Sequence, residues 1–210
     1  MLKKKNIAIV LNLLIVVFEI IAIYEIIDIK GSLNFSYYTD DSNLLALFTS
    51  LAFVYFTIRK KELPGWLKLL KFASTICLTL TFLIVVFVLA PMNDFDYGFL
   101  LFYSALLYQH FLCPIISGIT FLLFDDIHLS KWQHNLLAAG FTIVYGIIII
   151  ILNIVHYLVG PYPFLEVCNQ PIWKTFLWVI GLISFTYVIG LVLRKSAIKL
   201  NTFTNKILKK

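Results

Sequence analysis

Six long apolar stretches alternate with short polar segments along the 210-residue chain. The hydrocarbon core of a bilayer is about 30 Å thick, so a helix rising about 1.5 Å per residue needs roughly 20 apolar residues to cross it. Each stretch meets this length, and the short connections favour antiparallel packing of sequential helices in one bundle. The pattern predicts an all-α polytopic membrane protein with a single domain, residues 1–210, and six transmembrane helices near Ile7–Ile27, Tyr37–Ile58, Leu67–Leu89, Phe102–Phe124, Leu136–Leu158 and Ile172–Leu193.

Composition agrees with a membrane protein and disfavours the other classes. Hydrophobic residues make up 61% of the chain and charged residues 13%, whereas soluble domains carry about 25% charged residues. A soluble globular domain, a disordered chain and a disulfide-stapled secreted module are therefore not expected. The three cysteines lack the spacing of a disulfide framework or a metal site, and we expect no cofactor.

The basic residues predict the orientation of the helices, because lysine and arginine accumulate in cytoplasmic connections. Most of them fall on one predicted side, which makes both termini cytoplasmic. This asymmetry and the attraction of anionic lipids account for the net charge of +6, so nucleic acid is not an expected partner. The lysine-rich and isoleucine-rich composition favours a bacterial plasma membrane. The basic residues on the predicted cytoplasmic side are Lys3–Lys5, Arg59–Lys61, Lys68, Lys71, Lys131 and those from Arg194 to Lys210.

The first apolar stretch is predicted to remain as helix 1. It is too long for a signal peptide and carries Glu19 and Glu25. A polar side chain at membrane depth costs a few kcal/mol, so it usually faces the bundle interior and marks function. Asn12 and Glu19 lie seven residues apart on one face of this helix. Glu19 is a candidate for substrate binding, and equally a packing carboxyl that is protonated or hydrogen-bonded to a neighbour.

Helix 2 begins with a polar and small-residue stripe. Thr39, Asn43, Ala46 and Ser50 recur at helical spacing, so they are expected to face inward. A purely structural alternative remains open. Thr39 or Asp40 would then cap the helix, and the small residues would permit close contact between helices.

Helix 4 carries the histidine that points most clearly to function. His110 shares a face with Pro114 and Ser117, and Tyr103 lies one heptad before it. We place His110 about 12 Å inside the outer end of the helix. Pro114 cannot bond to the carbonyl of His110, which predicts a kink with room for a ligand or water. The alternative is a histidine that only bridges two helices. His128 and His134 are predicted to lie in a cytoplasmic loop without a role.

The outer loop after helix 5 is stiffened by prolines and aromatic residues between His156 and Glu166, its only acid. This loop, Thr39 and His110 all fall at or near the outer leaflet. A hydroxyl and an imidazole at similar depth suit nucleophilic acyl transfer, in which the imidazole takes the hydroxyl proton and returns it to the leaving group. No metal-ligand cluster, glycine-rich phosphate loop or Gly-x-Ser-x-Gly motif offers a competing chemistry.

Three segments carry a resemblance to a known family. The segment with Tyr38, Thr39, Ser42, Asn43, Leu44 and Leu45 resembles the Phe-Thr-x-x-Ser-Asn-Leu segment of bacterial Pr6Pr membrane proteins. Gln109, His110 and Pro114, followed by the segment 161–166, resemble two further segments in the same order. That family belongs with the androgen-induced and androgen-dependent (FAR-17a-like) multi-pass proteins, which are threonine hydrolases of fatty acid esters of hydroxy fatty acids.

The resemblance implies that Thr39 is the nucleophile and His110 the base. It also pairs His156 with a histidine that precedes the Tyr-Pro-Phe-Leu segment in the animal proteins. The chain departs from the pattern at Asp40 and Asp41, which stand where an apolar residue and a glutamine are expected. Two acids beside the nucleophile would either tune His110 or indicate another substrate.

We therefore expect a membrane-embedded lipid ester hydrolase that acts near the outer leaflet, on a fatty acid ester among membrane lipids. Ser42, Asn43 and Tyr103 are candidate donors to the oxyanion. Two alternatives remain open, namely an acyltransferase with the same acyl-enzyme and a non-catalytic sensor, scaffold or transporter. The substrate-binding candidates are Ser42, Asn43, Tyr103, Glu166, His156 and Glu19.

Overall fold

A computed structural model describes residues 2–125, 129 and 131–207, with side chains from residue 3 to residue 200. The described chain is helical, without strands. Two segments depart from α-helical geometry inside longer helices: a π-helical turn, Val85–Leu89, continues α3 into Ala90–Met92, and a π-helical segment, Leu107–Leu112, leads into α5. The helices are α1 (Leu2–Lys30), α2 (Tyr38–Ile58), α3 (Gly65–Ile84), α4 (Tyr97–Phe102), α5 (Cys113–Leu123), α6 (Gln133–Ile154) and α7 (Ile172–Ile207).

Five helical segments are long and apolar enough to cross a membrane, which confirms a polytopic α-helical membrane protein at the level of length and composition. They match five of the six predicted helices. Large apolar side chains on their outer faces are exposed, as expected where lipid replaces water as the solvent. The five segments are Lys3–Lys30, Tyr38–Ile58, Gly65–Met92, Gln133–Ile154 and Ile172–Leu200.

The predicted start of the fourth helix, at Phe102, is wrong. The chain leaves the helix at Tyr103, and Ser104 takes a φ of 49° before the helix resumes. The apolar segment that remains, Leu107–Leu123, is shorter than a standard crossing. Ser104 donates a hydrogen bond to Glu25 at 2.9 Å, which connects the break to the C-terminal part of α1.

The predicted fifth helix ends four residues too late. Helix α6 ends at Ile154, and His156 takes a left-handed φ of 57°. Asn153 donates to the Leu158 carbonyl at 3.0 Å, which closes the turn. His134 lies in the first turn of α6, and His128 lies outside the described residues.

Helix α3 occupies the centre of the bundle. Of the residues in the most apolar stretch of α3 and its continuation, 56% are buried inside the protein, whereas 22% are buried in the corresponding stretch of α7. One core cluster joins α3 to α5, α6 and α7, and it includes Phe72 and Phe121. Lys71 of α3, one of the basic residues used to predict the cytoplasmic side, is 1% exposed and lies in this interior.

Candidate active site

Thr39 and His110 meet inside the bundle. Their side chains are 8% and 6% exposed, and Thr39 Oγ1 lies 3.3 Å from His110 Nε2. Thr39 is in the first turn of α2, where Tyr37 is the N-cap residue and no side chain caps the helix. The alternative that Thr39 or Asp40 serves as the cap is therefore wrong. The hydroxyl of Thr39 is left to face the imidazole.

The other ring nitrogen fixes the tautomer of His110. His110 Nδ1 lies 2.7 Å from the backbone carbonyl oxygen of Leu100, at α4. A carbonyl can only accept, so the hydrogen-bond pattern assigns the proton of the neutral ring to Nδ1. The lone pair of Nε2 then accepts the Thr39 O–H. The Leu100 carbonyl thus orients the imidazole, as a carboxylate does in a serine hydrolase triad.

The local helix geometry follows from Pro114. Proline has no N–H to continue the α-helical ladder, and the segment before it is π-helical from Leu107 to Leu112. The Cys113 N–H bonds to the Tyr108 carbonyl, five residues back. Where the sequence predicted a kink with room for a ligand or water, the structure has this π-helical segment, a geometry that recurs at functional sites.

Tyr162 is the functional candidate that sequence reasoning missed. Its Oη lies 3.5 Å from Thr39 Oγ1, and its ring stacks on Phe164 with centroids 5.2 Å apart. Burial of the hydroxyl raises the pKa of Tyr162 to about 12, so it stays protonated and can donate at neutral pH. The sequence predicts that the loop of residues 161–166 lies near Thr39 and His110 in depth, but nothing in the spacing indicates that the side chain of Tyr162 reaches Thr39.

Ser42 and Asn43 adjoin the pair but use their donors on the backbone. Ser42 Oγ and Asn43 Nδ2 donate to the Thr39 carbonyl at 3.0 and 2.8 Å. Asp40 is similarly engaged: it accepts from Gln109 Nε2 at 3.3 Å and from the Asn34 N–H at 3.2 Å. These groups hold the start of α2 against the π-helical segment and do not present free donors to Thr39 Oγ1.

The other predicted substrate-binding residues do not contact the pair. Tyr103 is 57% exposed and stacks on Phe99. His156 is exposed at the end of α6, and Glu166 accepts from Asn169 at 3.1 Å. Glu19 is 1% exposed on α1, and neither carboxyl oxygen has a hydrogen-bond partner.

A cavity of about 320 Å³ opens beside Thr39. Its walls come from α3, α6, α7 and the loop of residues 161–166. Its polar groups are hydroxyls, none of its described lining residues is charged, and His110 is not among them. The π-helical turn of α3 contributes Val85 and Leu89 to the wall. The remaining lining residues are Tyr38, Thr39, Leu80, Thr81, Ile84, Thr142, Ile143, Tyr145, Gly146, Ile147, Ile150, Tyr162, Phe164, Leu165, Val179, Leu182 and Ile183.

The described residues contain no group of three His, Cys, Asp or Glu side chains that could hold a metal ion. Comparison with protein-family models, curated proteins and solved structures gives no match. The resemblance to the Pr6Pr and FAR-17a-like proteins therefore stays a prediction.

Proposed function

We propose that this chain is a membrane-embedded hydrolase of lipid-like carboxylic esters, with Thr39 as nucleophile and His110 as base. The observation that carries the proposal is the buried contact between Thr39 Oγ1 and His110 Nε2, with Nδ1 held by the Leu100 carbonyl. Threonine is a weak nucleophile at its own pKa and needs an adjacent base. This arrangement supplies one in the required tautomer.

The reaction proceeds in two steps. In the first, His110 Nε2 takes the Thr39 proton, Oγ1 bonds to the ester carbonyl carbon, and the bond to the alcohol oxygen breaks as Nε2 returns the proton to it. In the second, His110 Nε2 takes a proton from water, the water oxygen bonds to the acyl carbon of the threonyl ester, and the bond to Thr39 Oγ1 breaks as Nε2 returns the proton to Oγ1, which releases the acid. Tyr162 is the donor best placed for the oxyanion, because its hydroxyl already approaches Thr39 Oγ1 and keeps its proton.

We further propose six crossings with both termini cytoplasmic, in a bacterial plasma membrane. Leu107–Leu123 would be the short fourth crossing, with α4 beside its outer end. In this orientation the first turn of α2 lies at the outer leaflet, opposite the basic connection at Arg59–Lys61. A lipid ester would then reach Thr39 from the outer leaflet rather than from the cytoplasm.

The test is covalent labelling with a fluorophosphonate, measured by intact mass and peptide mapping. We expect wild type to form an adduct at Thr39, and Thr39→Val and His110→Gln to lose at least about 10³-fold in labelling rate. Thr75→Val is the matched control, because it removes a buried hydroxyl outside the cavity. That hydroxyl donates to the backbone carbonyl of Lys71 and bonds to Ser117 Oγ. A folded wild type that forms no adduct, in lipid or detergent, would reject the proposal.

Acyl transfer to another acceptor uses the same threonyl ester. The two reactions are distinguished by forming the acyl-enzyme from an ester with a labelled acyl group and mixing it with candidate acceptors. Formation of the free acid in water alone supports hydrolysis, and formation of an acylated acceptor, with no loss of the acyl group in water alone, supports transfer.

A further inference from the structure

The lining of the cavity beside Thr39 restricts the kind of molecule that the cavity can hold. Charge is costly to bury without a partner, and the described lining offers apolar side chains and neutral hydroxyls. Three of those hydroxyls already have partners, since Tyr38 bonds to Thr142 at 2.7 Å and Tyr145 donates to the Ser36 carbonyl at 2.7 Å. The occupant that fits this space is an uncharged, flexible hydrocarbon chain.

The positions of the two catalytic partners around Thr39 indicate which half of an ester enters the cavity. His110 must protonate the departing alcohol oxygen, so the alcohol leaves on the side of Nε2. His110 does not line the cavity, whereas Thr39 and Tyr162 do. The cavity therefore faces the acyl side of the reacting carbon, and the Tyr162 hydroxyl lines it 3.5 Å from Thr39 Oγ1, where the oxyanion would form.

Gly146 of α6 sets the free space inside this cavity. It is one of the lining residues, and a Cβ added there meets no heavy atom within 4 Å. Gly160 provides a contrast, because a Cβ there would lie 2.4 Å from the Leu165 carbonyl oxygen. A side chain at position 146 would thus project into empty space that an acyl chain would otherwise fill.

We propose that the cavity binds the acyl half of the ester, and that the glycine at position 146 allows a long acyl chain. This inference rests on the proposed function and adds to it which half of the substrate is selected. The enzyme is then specific for the length of the acid and tolerant of the alcohol.

The experiment uses fluorophosphonates with butyl, octyl, dodecyl and hexadecyl chains on full-length protein in lipid. The Thr39 oxygen bonds to phosphorus, the P–F bond breaks, and fluoride takes the place of the alcohol, so the alkyl chain occupies the acyl position. Labelling rates are compared for wild type, Gly146→Ala, Gly146→Leu and the control Gly140→Leu. Gly140 lies on the same helix, also has space around a Cβ, and does not line the cavity.

We expect wild type and Gly140→Leu to react faster as the chain lengthens. Gly146→Leu should lower the ratio of hexadecyl to butyl rates by about tenfold or more, since a single methylene excluded from an apolar pocket changes the rate by about 10–200-fold. Gly146→Ala should shift the ratio in the same direction by less, and it keeps the test valid if the leucine variant does not fold.

A Thr39 adduct with the same chain-length dependence in wild type and both Gly146 variants would overturn this inference and leave the proposed function standing. No adduct at any chain length would remove both. A second comparison uses two isomeric esters, butyl dodecanoate and dodecyl butyrate. Faster hydrolysis of the first supports the acyl assignment, and faster hydrolysis of the second would place the alcohol in the cavity.

Discussion

Two groups of buried polar side chains occupy this bundle, and they differ in what surrounds them. The outer group, named for its place in the proposed orientation, consists of Thr39, His110 and Tyr162. The inner cluster consists of Asn12, Ser50, Lys71 and Asp125, each at most 4% exposed. Lys71 Nζ donates to Ser50 Oγ at 3.0 Å, and Asn12 Nδ2 donates to Asp125 Oδ1 at 3.1 Å.

The inner cluster joins helices, whereas the outer group borders open space. The inner contacts connect α1 to the segment after α5 and α2 to α3, and no member lines the cavity. Burial raises the pKa of Asp125, and the positive charge of Lys71 acts in the opposite direction. Burial and charge alone therefore do not identify a reactive site in a membrane protein. The contact between Thr39 and His110 beside a cavity is what separates the proposed site from the inner cluster.

The largest effect that would sharpen this contrast is expected for Tyr162→Phe. The change keeps the ring that stacks on Phe164 but removes the only hydroxyl we assign to the oxyanion. Loss of one such donor typically lowers kcat by about 10²–10³-fold. Ester hydrolysis should show this loss in kcat with KM nearly unchanged, because the hydroxyl acts mainly in the transition state.

Tyr97→Phe is the control for that variant. It removes a hydroxyl that donates to the Val86 carbonyl at 3.3 Å, and Tyr97 does not line the cavity. Equal kcat values for wild type and Tyr162→Phe would remove Tyr162 from the mechanism. A rise in KM alone would show that it only shapes the cavity.

Lys71→Met should affect stability rather than labelling. Methionine keeps much of the length of the side chain but loses the charge and the donor to Ser50. A hydrogen bond to a charged group contributes about 1.5–3 kcal/mol, so we expect the free energy of unfolding to fall by that amount in denaturant or thermal melts. The Thr39 labelling rate per folded molecule should stay at the wild-type value.

The reverse result would remove the contrast between the two regions. If Lys71→Met kept full stability and lost labelling, the inner cluster would be coupled to the reaction. The outer group would then be one end of a longer functional network.

Sequence reasoning singled out Thr39 and His110 because depth in a membrane can be counted along a helix, and the structure brings the two side chains together. It could not find Tyr162, because the fold of the loop decides where that side chain points. It also favoured Tyr103, which is exposed because the helix breaks at Ser104. At the break Ser104 makes a tertiary hydrogen bond to Glu25, and apolar periodicity carries no sign of this contact.

Local hydrogen bonds explain why Ser42 and Asn43, also candidates for oxyanion donors, do not present free donors to Thr39 Oγ1. Their spacing puts them on the same face as Thr39, which was sufficient to suggest the role. Short polar side chains often bond to backbone carbonyls three or four residues earlier in the same helix. Both do so here, at the carbonyl of Thr39. Spacing alone could not separate a donor aimed at a substrate from one used on the backbone.

Ser42→Ala should therefore have the smallest effect of the three changes. It removes one donor to the Thr39 carbonyl, but Asn43 Nδ2 still donates to the same oxygen at 2.8 Å. The loss of a single neutral hydrogen bond is about 1 kcal/mol, so kcat should fall by less than about tenfold. The measurement is ester hydrolysis beside Tyr162→Phe, with melts to correct for the folded fraction. A fall in kcat as large as that of Tyr162→Phe, in a protein of unchanged stability, would transfer the oxyanion role to Ser42 and show that its hydroxyl turns from the backbone when substrate binds.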